Sequence, residues 1–266
     1  MDEERRRQRQ IRQLIETDRL LGVESVPVDR TRTVEVQVHA GAQRSAAPAP
    51  PPTHAAPRTP QAGAQRSAAP DSPAPKAAPS GDDLNTLREE LTAWVQNNWP
   101  QDGWQNVVFG EGDPNAALMF IGEGPGADED AQGRPFVGRA GQLLDKQITA
   151  MKLKREQVYI ANIAKTRPPG NRVPTPDEAE QWLPWLERQI QIIQPKVIVT
   201  LGATSAKYLL GNAKFAITRE RGKWREYLGI ALMPTFHPAY VLRRYTPEVR
   251  RQVWNDLQKV MEKLAE

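Results

Sequence analysis

The sequence predicts an α/β fold, a three-layer α/β/α sandwich around a central four-stranded parallel sheet. Three observations predict it. Four short apolar runs rich in β-branched residues, at 117–121, 158–163, 197–201 and 230–233, are separated by helical segments. Strands that alternate with helices are joined by crossovers and therefore run parallel. Each run is followed by a polar or glycine-rich segment, which is where a ligand sits in such a sheet, beyond the carboxyl ends of the strands.

The folded part is expected at 83–266. Residues 41–80 contain 10 of the 24 prolines and 13 alanines, so 23 of those 40 positions are Pro or Ala. Such a stretch buries too little apolar surface to offset the entropy of ordering it. The octapeptide GAQRSAAP occurs at 41–48 and again at 63–70, a low-complexity duplication and not a solenoid repeat. Residues 23–82 are accordingly expected to be a disordered, semi-stiff linker. Before it, Ile11, Leu14, Ile15 and Leu21 make a narrow apolar stripe over 4–21 on a basic background. Residues 1–22 are expected to be an amphipathic helix, either a solubilising tail or a docking helix for a protein partner. The expected organisation is thus 1–22, 23–82 and a catalytic domain at 83–266.

Within that domain the elements follow from local chemistry. Leu84, Leu87, Leu91 and Trp94/Val95 recur at helical spacing, and 141–151 reads as a second helix. A third opens with Thr175-Pro176-Asp177-Glu178, where Thr175 caps, Pro176 suits the first turn and Glu178 completes a capping box. Pro184 is expected to kink or split it. Another starts at Thr204 or Ser205. The last opens with Thr246-Pro247-Glu248 and carries Val249, Val253, Leu257, Val260 and Leu264 on one face.

Composition excludes several classes of function. The chain has no cysteine, so disulfides, thiolate nucleophiles and cysteine-held metals are ruled out. Three histidines (His39, His54, His237) leave little for a histidine-rich metal site, and no metal site is expected. No run of 18 apolar residues exists, so no membrane helix is expected. The basic start MDEERRRQRQ lacks an apolar stretch of signal-peptide type, which predicts a cytoplasmic protein. Formal charge is +4, and residues 214–266 carry 11 basic against 6 acidic residues. That excess suits either solubility or a polyanionic partner.

The four segments after the strands hold the candidate chemistry. GEGPGADEDAQGRPFVGRAGQLL (122–144) brings glycines for close backbone approach and a crowd of carboxylates, which makes it a poor phosphate cradle. NIAKTRPPGNRVPTPDE (162–178) begins with Asn162 and continues as a stiff basic loop. GATS (202–205) opens a helix whose N–H groups can face an anion. In FHPAYVLRR (236–244), the proline after His237 holds that residue out of the helix.

In this order and spacing the segments resemble the uracil-DNA glycosylase superfamily, in particular its family-4 bacterial and archaeal type. The resemblance covers about 107–264 and includes VVFGEGDPNAALMFIGEGPG, GRPFVGRAGQLL, RPPGNRVP, ITRERGKW and PTFHPAYVLR. It implies a monofunctional enzyme that flips uracil from DNA and hydrolyses its N-glycosidic bond to start base excision repair. It also implies a nucleoid-associated monomer. By this resemblance Phe136 stacks on the base beside Gly124, Asn162 bonds the O4/N3 edge, and Glu129 crowds the C5 methyl of thymine. His237 donates to O2 as charge builds there. Family-1 relatives carry an aspartate where this chain has Gly124, which leaves Glu123 and Asn171 to orient the water. DNA contacts are expected from backbone amides around Gly202 and Thr204 and from Arg167, Arg172, Arg243 and Arg244. Tyr240 or Leu242 would fill the hole left by the base.

The chain departs from the family in one respect. Family-4 enzymes usually hold a 4Fe–4S cluster through four cysteines. The corresponding positions here fall near Gln96, Trp99, Thr166 and Trp182, so no such cofactor is expected. Trp99 and Trp182 are expected to fill the space instead. The covalent-trapping subgroup carries a KRRIH loop, which this chain lacks. Two other classes compete. One is a catalytically weak DNA-damage-binding module that recruits a partner through its N-terminal helix. The other is a nucleotide-binding protein using 122–126, against which the flanking carboxylates speak.

Overall fold

The computed structural model describes residues 83–266. The helix expected at 4–21 and the linker to 82 lie outside the described residues. The described part begins with α1 (Leu84–Asn98), capped by the Asp83 carboxylate, which accepts the N–H groups of Asn85 and Thr86 at 2.8 Å.

The sheet has six strands: β1 (Glu111–Gly112), β2 (Leu118–Gly122), β3 (Tyr159–Asn162), β4 (Val197–Leu201), β5 (Arg225–Tyr227) and β6 (Ile230–Thr235). Their order is β1-β3-β2-β4-β6-β5. The central four, β3-β2-β4-β6, are parallel and correspond to the four expected runs. The expected four-stranded sheet is therefore enlarged by two antiparallel edges, β1 on β3 and β5 on β6. At two and three residues, both edges are too short to show an alternating pattern. The β5–β6 hairpin turns on Leu228 and Gly229, both at positive φ (51° and 77°), as the twist of a two-residue hairpin requires.

Period-two alternation along the strands makes the layers. Leu118, Phe120, Ile160, Val197, Val199 and Met233 face one way. They pack with Leu144 and Ile148 of α3 (Arg139–Ala150) and with Val253, Leu257 and Val260 of α8 (Pro247–Ala265). Met119, Ile121, Tyr159, Ile198 and Leu232 face the other way. They pack with Leu87, Leu91 and Val95 of α1 and with Trp182, Leu186 and Ile190 of α4 (Pro176–Ile193). Short helices α2 (Ala127–Gln132), α5 (Ala203–Leu209), α6 (Ile217–Glu220) and α7 (Pro238–Arg243) lie in the connections.

The Thr175 cap and its capping box with Glu178 form as the sequence predicts, and the last helix opens after Thr246, whose side chain accepts the Val249 N–H. Pro184 does not split its helix. α4 runs through it from Pro176 to Ile193, because buried Ala179 and Trp182 before it and Trp185 and Leu186 after it anchor both halves to the core. That burial outweighs the one missing helical hydrogen bond. The α5 helix begins at Ala203, one residue earlier than expected, with Gly202 as its N-cap. No described helix is long and apolar enough to cross a membrane.

Four indoles join α1 to α4. Trp94 lies 5.6 Å from Trp182 and 5.7 Å from Trp185 between ring centroids, and Trp99 lies 4.2 Å from Trp182. Trp182 is fully buried. Replacing it with alanine leaves a large cavity, with an expected loss of about 3–5 kcal/mol. Urea unfolding of Trp182→Ala should read that loss, and an unchanged midpoint would contradict the rivet role of this cluster.

Candidate active site

The carboxyl ends of the four parallel strands open into one cleft of about 620 Å³. That volume is in the range of small-ligand sites. Glu123, Gly124 and Gly126 follow β2, Asn162 ends β3, Gly202 and Ala203 follow β4, and Phe236 and His237 follow β6. Phe136, Asn171, Arg172, Tyr240 and Arg243 complete the wall.

Asn162 is the Cα partner of Gly122 in the β2–β3 ladder. Its side chain is buried, and its Oδ1 has no hydrogen-bond partner in the protein. A buried polar atom left unpaired costs about 1–3 kcal/mol, and because Asn162 lines the cleft a bound molecule can reach this amide. Gly122 makes room for it. A Cβ there would lie 2.3 Å from Asn162 Oδ1 and 2.5 Å from Phe136 Cζ.

Phe136 is both core and cleft wall. Its ring belongs to the buried cluster under α3, lines the cleft and lies 5.6 Å from the His237 ring. Its backbone is left-handed, at φ 51°. Gly141 allows that turn to pack on α3, since a Cβ there would lie 1.7 Å from the Phe136 carbonyl oxygen.

His237 is the N-cap of α7, with φ −66° and ψ 136°, extended as its following proline predicts. Its Nδ1 accepts the Ala239 N–H at 3.1 Å. The ring proton of the neutral imidazole therefore sits on Nε2. Burial, with Arg243 adding repulsion, pushes the His237 pKa down to about 4. Gly202, at φ 96°, lies against this ring, its ideal Cβ 3.1 Å from His237 Cβ.

Several of the expected site residues already have partners within the protein or lie off the cleft. Glu129 lines the cleft, but both its oxygens are engaged. Oε2 accepts from Gly126 N–H at 3.1 Å, and Oε1 accepts from Val137 and Gly138 N–H at 2.9 Å each. It clasps two loops together. Gly202 N–H donates to Thr235 O at 2.9 Å, so it is not available to a phosphate. Arg167 does not line the cleft. It borders a smaller cavity beside Trp99, Thr166 and Trp182, and its Nε donates to Asn171 Oδ1 at 2.7 Å. Arg172 lines the cleft, but its guanidinium forks onto Glu178 at 2.6 Å on each oxygen. Leu242 and Tyr240 are both partly buried against the core, but only Tyr240 lines the cleft, its ring tilted 4.8 Å from that of Phe236. Thr204 and Arg244 also lie outside the cleft wall, Arg244 exposed beyond the end of α7.

Sequence reasoning missed the hydrogen-bonded supports. Arg155 opens a single 3-10 turn (Arg155–Gln157) and bridges Glu111, Asp145 and the carbonyls of Pro135 and Phe136. Burial raises the Glu111 carboxyl, but hydrogen bonds from Arg134 and Arg155 outweigh it and hold the group below its ordinary range. Lys165 is fully buried, bonded to Gln189 at 2.6 Å, and burial pushes its pKa down to about 7. Neither arginine nor lysine carries a motif that its role could be read from.

The family's iron–sulfur cluster does not fit this chain. No cysteine exists to supply a thiolate. At the corresponding positions, Gln96 is exposed, Thr166 is buried, and Trp99 and Trp182 are in ring contact. Among the described residues, no three His, Asp or Glu side chains converge to hold a metal.

The His237 geometry carries a pH prediction. The unfolded chain takes up a proton near pH 6.5 that the folded protein refuses until about pH 4, so His237 lowers stability as pH falls through that window. Above it the stability is fully retained. An NMR titration of the ring should show no midpoint near about pH 6.5. A midpoint there would contradict the neutral, half-buried imidazole.

Residues 109–258 match the family described as the Uracil DNA glycosylase superfamily. The Type-4 uracil-DNA glycosylase of Thermotoga maritima is 48% identical over 155 residues, covering 58% of this chain and 81% of the relative. That of Sulfurisphaera tokodaii is 44% identical over 192 residues, covering 68% and 84%. That of Saccharolobus solfataricus is 46% identical over 169 residues, covering 60% and 77%. Because the family match spans more than half of the chain and relatives at 44–48% identity are covered over most of their length, this chain belongs to the uracil-DNA glycosylase superfamily.

Proposed function

We infer that the protein is a uracil-DNA glycosylase that hydrolyses the bond between uracil and deoxyribose, the opening step of base excision repair. The observation that carries the residue roles is the convergence of Phe136, Asn162 and His237 on one cleft.

The flipped uracil stacks on Phe136. The Asn162 amide meets its O4/N3 edge and relieves the orphaned Oδ1. An amide offers both a donor and an acceptor, which separates uracil from cytosine. His237 donates its Nε2 proton to O2 as negative charge grows there. A preplaced donor in a water-poor site is the strongest lever on such a step. A neutral donor suits it, since the ring need not first take up a proton. The Glu129 carboxylate, fixed by three backbone N–H bonds, is a rigid wall against the thymine methyl.

Two carboxylates line the cleft. With Glu129 committed to backbone, Glu123 is the one that orients water, aided by Asn171, which Arg167 holds. Among the described residues, no lysine lines the cleft, which favours water over an amine as nucleophile and so a monofunctional enzyme. The absence of cysteine supports a glycosylase that works without an iron–sulfur cluster. Arg243, on the rim and exposed, contacts phosphate with Arg244 and positions the DNA without reading its sequence.

Alkali treatment of an oligonucleotide with one uracil tests the reading. Wild type should yield strand scission at uracil and none at thymine. His237→Ala should slow base release by about 10²–10³-fold. Intact strands with wild type, or equal rates for both proteins, would overturn it.

A further inference from the structure

The aromatic platform is strained. Phe136 holds a left-handed φ of 51°. For a residue with a side chain such a conformation is unfavourable and persists only where the surroundings over-determine it. Two side chains do so from opposite sides. Glu129 takes the N–H groups that follow Phe136, those of Val137 and Gly138. Arg155 takes the carbonyls on the other side. Its Nη2 donates to Pro135 O at 2.5 Å and its Nη1 to Phe136 O at 3.2 Å.

The rest of the Arg155 fork is itself fixed. Nε donates to Glu111 Oε1 at 2.7 Å and Nη1 to Asp145 Oδ1 at 2.6 Å. Glu111 comes from β1 and Asp145 from α3, so one planar group ties an edge strand and a helix to the platform turn. Arg155 does not line the cleft, so it reaches the base only through Phe136.

We propose that Arg155 is a positioning residue for uracil excision, holding the Phe136 ring in stacking position through the Pro135 and Phe136 carbonyls. This rests on the glycosylase reading above. The structure supplies an internal control. Arg134 also pairs with Glu111, at 2.7 Å, but its side chain is 56% exposed against 20% for Arg155, and none of its hydrogen bonds reaches either carbonyl. A role confined to the ion-pair network would make the two arginines alike, whereas a role in positioning separates them.

The test compares wild type, Arg155→Ala, Arg155→Lys and Arg134→Ala in single-turnover excision from a uracil oligonucleotide. Inhibition by free uracil and affinity for a uracil-free duplex are measured alongside. Arg155→Ala should be roughly 100-fold slower, the scale of a small misplacement of a reacting group, and less sensitive to free uracil. Its affinity for uracil-free duplex should match wild type. Arg155→Lys keeps the charge but cannot span both carbonyls, and should stay impaired. Added guanidinium ion should restore part of the Arg155→Ala rate. Arg134→Ala should remain near wild type. If Arg155→Ala does not fold, the Lys variant and the Arg134 control decide. An Arg155→Lys rate within roughly a factor of two of wild type, or equal loss in Arg134→Ala, overturns the positioning role. Intact uracil strands with wild type overturn the glycosylase reading itself, a distinct failure.

Discussion

The site depends on one missing side chain. At Gly122, the last residue of β2, the Asn162 amide and the Phe136 ring occupy the volume that any Cβ would need. A parallel sheet brings Gly122 and Asn162 side by side as register partners. A side chain at 122 would push the amide and the ring apart. Close-packed interiors cannot absorb such a shift by small local give. The Asn162 amide and the Phe136 ring are thus brought together by sheet register and by an absent side chain.

Around that point, the strained or polar parts are held by hydrogen bonds that leave little freedom. The Phe136 turn has its N–H groups on Glu129 and its carbonyls on Arg155. Nδ1 of His237 is occupied by the Ala239 N–H, which leaves Nε2 as the donor. Behind His237, Thr235 donates to Asp256, which also pairs with Arg221, whose guanidinium lies 5.4 Å from the centre of the Phe236 ring. Asp256 sits on α8 and Arg221 just past α6, so the ITRERGKW segment braces the end of β6. Preplaced groups of this kind need no reorganisation as charge develops, which is where electrostatic catalysis draws its strength.

This division explains what was legible in the sequence. The four central strands announced themselves because both faces are buried, which yields continuous apolar runs. Thr175 and Thr246 were readable because capping is local chemistry. Phe136, Asn162 and His237 lie in recognisable segments, and the fold places all three on one cleft. The edges β1 and β5 were invisible at two and three residues. The Arg155 fork joins residues through tertiary geometry, and a one-dimensional pattern does not encode a partner 19 or 44 residues away; the Glu129 clasp and the Arg167–Asn171 bond are short-range but depend on irregular loop conformation that no periodic pattern marks. That Pro184 does not split α4 is unreadable for the same reason, since propensity alone omits the tryptophans that anchor both halves of the helix.

The tryptophans also bear on what an iron–sulfur cluster does in the enzymes this chain resembles. A cluster holds chain segments by coordinate bonds that depend on deprotonated thiolates. Here α1 and α4 are held instead by apolar and ring contacts among Trp94, Trp99, Trp182 and Trp185, which have no such requirement. Trp99 and Trp182 border the small cavity that Pro168 and Arg172 share with the cleft. The loop carrying Asn171 therefore rests between the aromatic cluster and the site. Support for that loop requires a filled, rigid interior at this point, and indole rings meet the requirement as packed volume. In this chain the same segments are pinned by packed indole rings, with no thiolate to protonate or oxidise.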